Sequence, residues 1–93
     1  MTFLNPPLSP RFQVWAKALP DGEEAVLVIN ISEETQDISV PLKALGLGSS
    51  ASVYDLYTHK SGADVSGTLE VKGLKSHDSV FYKMATKQQR VVA

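Results

Sequence analysis

The chain contains no cysteine among its 93 residues. This absence excludes a disulfide framework, a thiolate zinc site and a cysteine nucleophile. An excess of charge is also missing, since nine basic side chains stand against ten acidic ones, giving a formal net charge of -1. Because such a chain does not attract polyanions, nucleic acid is not an expected partner.

Long hydrophobic runs are absent as well. The longest, residues 25–29, is far shorter than the roughly 20 residues that a membrane-spanning helix requires. The opening segment, residues 1–7, has neither the basic start nor the apolar stretch of a signal peptide. We therefore expect neither a membrane anchor nor an export signal within the chain, and the compartment stays open.

The organisation of the chain is that of one domain between two irregular ends. Three of the five prolines fall in the first eleven residues, and proline removes a backbone donor and disfavours regular structure, which predicts a lead-in or linker over 1–11. The last residues, 87–93, begin with a polar and basic stretch and are predicted to form a tail. The domain itself is expected over 12–86.

Between these ends, short apolar–polar alternation predicts β-strands. The predicted strands cover 12–19, 24–31, 38–42, 52–58, 68–72 and 78–84, and one helical turn is expected at 42–47, ended by Gly46 or Gly48. Residues 24–31 are rich in Val and Ile on both faces, as expected of a central strand. The fold class is therefore all-β: a single antiparallel β-sandwich, Greek-key-like, of about six to eight strands, with a small barrel as the alternative.

The tripeptide His77-Asp78-Ser79 contains the residue types of a hydrolytic triad. Adjacent strand residues point to opposite faces, so these neighbours are not expected to align as nucleophile, base and orienting group. A turn in which Asp78 or Ser79 bonds nearby amides is the simpler interpretation. The sequence thus predicts no catalytic residue.

Metal and cofactor sites are not indicated either. The two histidines, His59 and His77, lack the spacing of a zinc-binding helix, and no glycine-rich phosphate loop is present. Asp55 and Asp78 are the two aspartates embedded in predicted strands. Glycoside cleavage would require such a pair about 5–9.5 Å apart in a cleft, and a sandwich of this size offers no obvious one.

Asn30-Ile31-Ser32 matches the N-glycosylation sequon, so Asn30 is a candidate glycosylation site if the chain is exported. The competing interpretation is a polar residue at the end of a buried strand, with its amide bonded to the following turn.

Aromatic side chains on otherwise polar faces are more informative. Trp15 shares its predicted face with Gln13 and Lys17, and Phe81 shares its face with Ser79 and Lys83. Burying an aromatic side chain removes roughly 150–250 Å² from water, so an exposed position is unfavourable without a purpose. A sugar-stacking surface, a patch docked against another domain and a fully internal face are the three alternatives.

Several segments, taken in order, resemble a known domain. They are 14–22 (V-W-x-x-x-L-x-x-G), 25–32, an apolar strand with Asn30 near its end, Leu45-Gly46-Leu47, and Asp55-Leu56-Tyr57 followed by Lys60, Gly62 and His77. The set resembles the C-terminal β-sandwich domain of the α-galactosidases of glycoside hydrolase family 27, the melibiase group. Tyr57 departs from that pattern, because tryptophan is usual there.

The resemblance implies that the nucleophile and acid/base aspartates lie on a (β/α)8 barrel outside this chain. It therefore implies a non-catalytic accessory domain whose partner is that barrel. It also makes Trp15, Asp55 and Tyr57 candidate residues for the fold motif or for docking. Phe81 is a further candidate, because it is an aromatic residue on an otherwise polar face. Parent enzymes of this family are commonly secreted, vacuolar or lysosomal. A carbohydrate-binding module that uses exposed aromatics and an immunoglobulin-like protein-interaction module remain as alternatives.

Overall fold

The structure is a computed structural model and describes residues 2–3 and 11–86. Its elements, in chain order, are β1 (Thr2–Phe3), β2 (Phe12–Ala18), a 3-10 turn (Pro20–Gly22), β3 (Glu23–Asn30), β4 (Gln36–Pro41), α1 (Leu42–Leu45), β5 (Ser50–Asp55), β6 (Lys60–Ser61), β7 (Val65–Ser66), β8 (Thr68–Leu74) and β9 (Ser79–Thr86). Within the described part, no helix has the length or apolar character needed to cross a bilayer.

Two antiparallel sheets form the sandwich. The larger, sheet A, has the order β1-β2-β3-β9-β5-β6, with β7 also paired to β5; the smaller, sheet B, pairs β4 with β8. The last strand, β9, thus lies between β3 and β5, so neighbours in the sheet are distant in sequence. The predicted antiparallel β-sandwich is confirmed, and its six longer strands correspond to the six predicted segments.

Alternation along the strands divides sheet A into two faces. The inner face of β2 carries Phe12, Val14 and Ala16, and its outer face carries Gln13, Trp15 and Lys17, as predicted. Strand β3 is central, since it pairs with both β2 and β9. Its inner residues Val26 and Val28 are fully buried, whereas its outer residues Leu27 and Ile29 are only half-buried.

The core fills the space between the sheets. Sheet A contributes Val14, Val26, Val28, Ala51, Val53 and Met84, and the opposite side contributes Ile38, Val40, Leu42, Leu45, Leu47, Leu69, Val71 and Leu74. Helix α1 closes one end of this core and stops at Gly46, whose φ of 74° is the left-handed conformation that glycine adopts without strain. The predicted helical turn is present, with Gly46 as its stop.

Two expectations differ from the structure. The strand predicted over 52–58 ends at Asp55, because residues 56–59 form a turn. Of the predicted lead-in over 1–11, Thr2–Phe3 pairs with β2 and so belongs to sheet A. Residues 4–10 of that lead-in, and the predicted tail over 87–93, lie outside the described residues.

Candidate functional site

An apolar row crosses the outer face of sheet A. Trp15 on β2 lies directly opposite Leu27 on β3, and Leu27 lies directly opposite Phe81 on β9. All three side chains are half-buried rather than sealed inside. This outer row, Trp15–Leu27–Phe81, brings together two aromatics that the sequence singled out, Trp15 and Phe81.

Polar groups border the outer row. The indole Nε1 of Trp15 donates to Oε1 of Gln13 at 3.2 Å. On the other side, the ammonium of Lys83 lies 5.2 Å from the centre of the Tyr54 ring and 3.7 Å from a carboxylate oxygen of Glu23. An apolar centre with a polar rim is the usual anatomy of a protein–protein interface.

Tyr57 extends the row at the end of β5. Its side chain is 56% exposed, its ring centre lies 6.1 Å from that of Phe81, and the two rings are inclined by 54°. The Tyr57 hydroxyl is 2.8 Å from the hydroxyl of Ser79. Because the two rings are tilted, they do not form one shared flat platform, and a sugar would have to stack on a single ring.

Asp55 lies on the inner face of sheet A, opposite Tyr82, and not on the outer row. Its Oδ1 accepts hydrogen bonds from the backbone N–H groups of Tyr57 (2.8 Å) and Thr58 (3.2 Å). These bonds stabilise a turn after Asp55 instead of a continued strand, which explains why β5 ends at this residue. The geometry of Asp55 therefore fits a fold role rather than docking.

Asn30 is fully buried at the end of β3. Its Nδ2 donates to the carbonyl oxygens of Glu34 (2.7 Å) and Leu74 (2.9 Å), and its Oδ1 accepts from Ser32 and from Gln36 Nε2. A glycan on Nδ2 would break this network and would have to be accommodated in the core. The geometry thus weighs against glycosylation of the folded domain, and the sequon stays a sequence-based prediction.

The side chains of His77-Asp78-Ser79 bond to three different groups. His77 Nε2 lies 3.4 Å from Glu33, Asp78 Oδ1 accepts the Ser79 N–H at 2.8 Å, and the Ser79 hydroxyl meets Tyr57. No triad geometry exists among them. Of these contacts, the bond from the Ser79 N–H to Asp78 is the kind that the predicted strand-entry turn implies.

The two aspartates considered as a glycosidase pair, Asp55 and Asp78, are also separated. Asp55 pairs in register with Tyr82, and Asp78 precedes Tyr82 by four residues, a distance of about 13 Å along a strand. This exceeds the separation of paired carboxylates in glycosidases. Among residues 11–86, no three histidine, aspartate or glutamate side chains group as metal ligands, and His59 is exposed in the turn after β5.

A groove of about 380 Å³, which the sequence did not reveal, opens on the inner side of sheet A. Strands lie about 4.8 Å apart, so the two strands of sheet B face only part of the width of sheet A. The uncovered part includes Asp55 and Tyr82, and the groove is lined by Val53, Asp55, Thr58, Lys60, Ser61, Gly62, Ala63, Val65, Leu69, Glu70 and Tyr82. Burial, followed by the charge of Asp55, raises the pKa of the Tyr82 phenol, so its hydroxyl stays protonated.

Comparison with known proteins identifies relatives of the domain. The family described as alpha galactosidase C-terminal beta sandwich domain matches residues 9–84. No curated protein matches the sequence.

Solved structures give close matches in fold. A β-L-arabinopyranosidase of glycoside hydrolase family 27 from Geobacillus stearothermophilus, a variant in complex with arabinose, is 28% identical, with a TM-score of 0.78 over 89% of this chain and 18% of that one. The α-galactosidase I of Mortierella vinacea is 15% identical, with a TM-score of 0.73 over 90% of this chain and 23% of that one. The chain therefore spans about a fifth of the length of these enzymes.

Proposed function

Because the chain belongs to the family of α-galactosidase C-terminal β-sandwich domains, we propose that it is a non-catalytic accessory domain that packs against the catalytic (β/α)8 barrel of a family 27 glycosidase. The observation that carries the proposal is the outer row. Trp15, Leu27 and Phe81 stand in register across three strands and are left half-exposed.

The physical driving force for docking is burial of that row. Apolar surface removed from water contributes about 25 cal/mol per Å², and aromatic side chains supply the largest areas. The rim charges, Lys83 with Glu23 and Lys17, would remain at the border of the contact, where they add orientation more than affinity.

The absence of catalysis is supported by what the acidic groups do. Asp55 is engaged by two backbone amides, and Asp78 bonds the amide of the next residue. The resemblance to family 27 assigns the catalytic aspartates to the barrel. The purified chain should therefore show no turnover of an aryl α-galactoside. Hydrolysis that survives repurification and is lost in Asp55→Ala or Asp78→Ala would contradict this proposal.

Docking can be tested in a two-domain protein. In the Geobacillus stearothermophilus arabinopyranosidase, this chain would replace the C-terminal sandwich. We expect barrel and sandwich to unfold in a single calorimetric transition, because packed domains stabilise each other. The double variant Trp15→Ser with Phe81→Ser should separate the transition into two.

The matched control for this test is Lys72→Ser, which shortens an exposed side chain on sheet B and should leave the single transition unchanged. Two transitions in the unsubstituted chimera, or an equal effect of the control, would show that the outer row is not the docking surface.

A carbohydrate-binding module is the second candidate, since Tyr57 is 56% exposed. Titration with galactose-containing oligosaccharides, followed by the fluorescence of Trp15 on the same face, separates the two functions. A flat response supports docking. A saturable change that is lost in Tyr57→Ala supports the binding module.

A further inference from the structure

The groove beside β5 is a second surface with the features of a ligand site, on the opposite face of sheet A from the outer row. Its volume of about 380 Å³ lies within the range of roughly 300–1,000 Å³ of small-molecule pockets. Packing of a barrel on the outer row would leave the groove open, so the following inference does not depend on the proposed function.

The groove combines an apolar floor with hydrogen-bonding groups. Val53 and Leu69 are buried beneath it, and the half-buried ring of Tyr82 forms part of its wall. Such a mixture suits a ligand that has both C–H faces and polar edges.

The polar groups of the groove are available to bond a ligand, and one of them, the Asp55 carboxylate, is already held in place. Within residues 11–86, neither the Tyr82 hydroxyl nor the Lys60 ammonium bonds another residue. The Asp55 carboxylate is held at Oδ1 by two backbone amides, so its orientation is fixed before a ligand arrives. Fixed groups lose less conformational entropy on binding.

The charged side chains around the groove indicate which class of ligand it can bind. Asp55 and Glu70 carry negative charge and Lys60 carries positive charge around the groove, which opposes anions such as phosphate. Glu70 is already paired with Lys72 at 3.0 Å. Among the described residues that line the groove, the Asp55 carboxylate and the Lys60 ammonium then remain outside any ion pair. Donors and acceptors are then balanced, as a neutral ligand rich in hydroxyl groups requires.

We propose that the groove binds a neutral pyranose sugar, with its ring against Tyr82 and its hydroxyls bonded to Asp55, Lys60 and the Tyr82 hydroxyl. The same chemistry is offered by a free monosaccharide and by the end of an oligosaccharide. Either source would present one sugar ring to the groove.

The test is an NMR titration of the chain with D-galactose, up to about 100 mM, at which a millimolar site saturates. The backbone amides of Gly62 and Ala63 report on the groove, and the indole of Trp15 reports on the outer face. We expect saturable chemical-shift changes at the amides of Gly62 and Ala63 and no change at the indole of Trp15. A parallel titration uses raffinose, whose terminal residue is a galactose. Tighter binding of galactose indicates a free monosaccharide as the ligand, and tighter binding of raffinose indicates the end of an oligosaccharide.

Two variants connect the response to the groove. Tyr82→Phe removes one hydroxyl and keeps the ring, and it should weaken binding about threefold to tenfold. Ala63→Trp fills the exposed side of the groove and should abolish the saturable shifts. Its matched control is Ala44→Trp, at an exposed position on α1, which should bind as the unsubstituted chain does.

Three results would overturn the proposal. The first is the lack of any saturable shift at Gly62 or Ala63 with either sugar. The second is a saturable shift of the Trp15 indole resonance without shifts at Gly62 and Ala63. The third is a response to phosphate or to the diamine putrescine that exceeds the response to galactose.

Discussion

Asn30 shows how much a single amide side chain organises in this domain. It joins the end of β3 to the turn after it through Glu34 and Ser32, and to the end of β8 through Leu74. The side chain therefore connects sheet A to sheet B at one edge of the core. Removing it would leave several buried donors and acceptors without partners.

We predict that Asn30→Ala lowers the free energy of unfolding by roughly 3 kcal/mol, since unpaired buried polar groups are among the most destabilising changes. Urea denaturation measures the change. Thr35→Ala, at an exposed position in the same turn, should change stability by less than about 0.5 kcal/mol. Equal effects of the two variants would contradict the network.

Glu24 is the residue from which a pH dependence follows. It lies on the inner face of β3, and its Oε1 is buried without a hydrogen-bond partner among residues 11–86. Desolvation by burial raises its pKa above the ordinary value of 4.5. Since the folded state favours the protonated acid, the stability that this group contributes is present below the unfolded pKa and is lost as pH rises through the folded pKa.

Glu24→Gln should therefore stabilise the domain at pH 7 and lose that advantage below the ordinary glutamate pKa. Urea midpoints at pH 7 and near pH 4 would measure the difference. Glu23→Gln, at the neighbouring position, faces the outer side and loses its contact with Lys83, so it should give no gain at pH 7. A Glu24→Gln effect that is the same at both pH values would refute the burial argument.

At the scale of elements, sequence reasoning succeeded where local chemistry is decisive. Alternation on β2 assigned Trp15 and Val14 to opposite faces, and Gly46 marked the end of α1. It failed at the end of β5, where Val, Tyr and Thr favour a strand but the Asp55 side chain captures two amides. It also missed the groove, because the width of sheet B depends on pairing between distant segments.

The glycine that ends α1, Gly46, gives a prediction about the stability of the domain. Gly46→Ala places a Cβ at a φ of 74° and should lower stability by about 1–2 kcal/mol. Gly62→Ala is the matched control, because its φ is not positive and a Cβ would meet only ordinary contacts near 3.8 Å; it should be neutral or slightly stabilising. Thermal unfolding of both variants checks the contrast, and an equal loss would contradict it.

At the scale of the whole molecule, the two faces of sheet A should differ in their contribution to stability. Val28 is fully buried, and Val28→Ala should destabilise the isolated chain by about 2 kcal/mol. Leu27, its neighbour on β3, lies half-exposed on the outer row, so Leu27→Ala should destabilise it by less than about 1 kcal/mol. Guanidinium denaturation of the two variants compares them.

An equal loss in both variants would mean that the outer row is already covered in the isolated chain. After docking on a barrel, we expect the effect of Leu27→Ala to increase and that of Val28→Ala to stay the same.

The position of β9 between β3 and β5 has a consequence for synthesis. A ribosome releases β2 and β3 early and β9 last, so the middle of sheet A stays unfilled until nearly the whole segment has emerged. Until then, β3 and β5 each present an unpaired edge to other chains, and such edges promote aggregation. A nascent form that lacks β9 therefore has β1-β2-β3 separated from β5 and its partners, without a continuous hydrogen-bonded ladder.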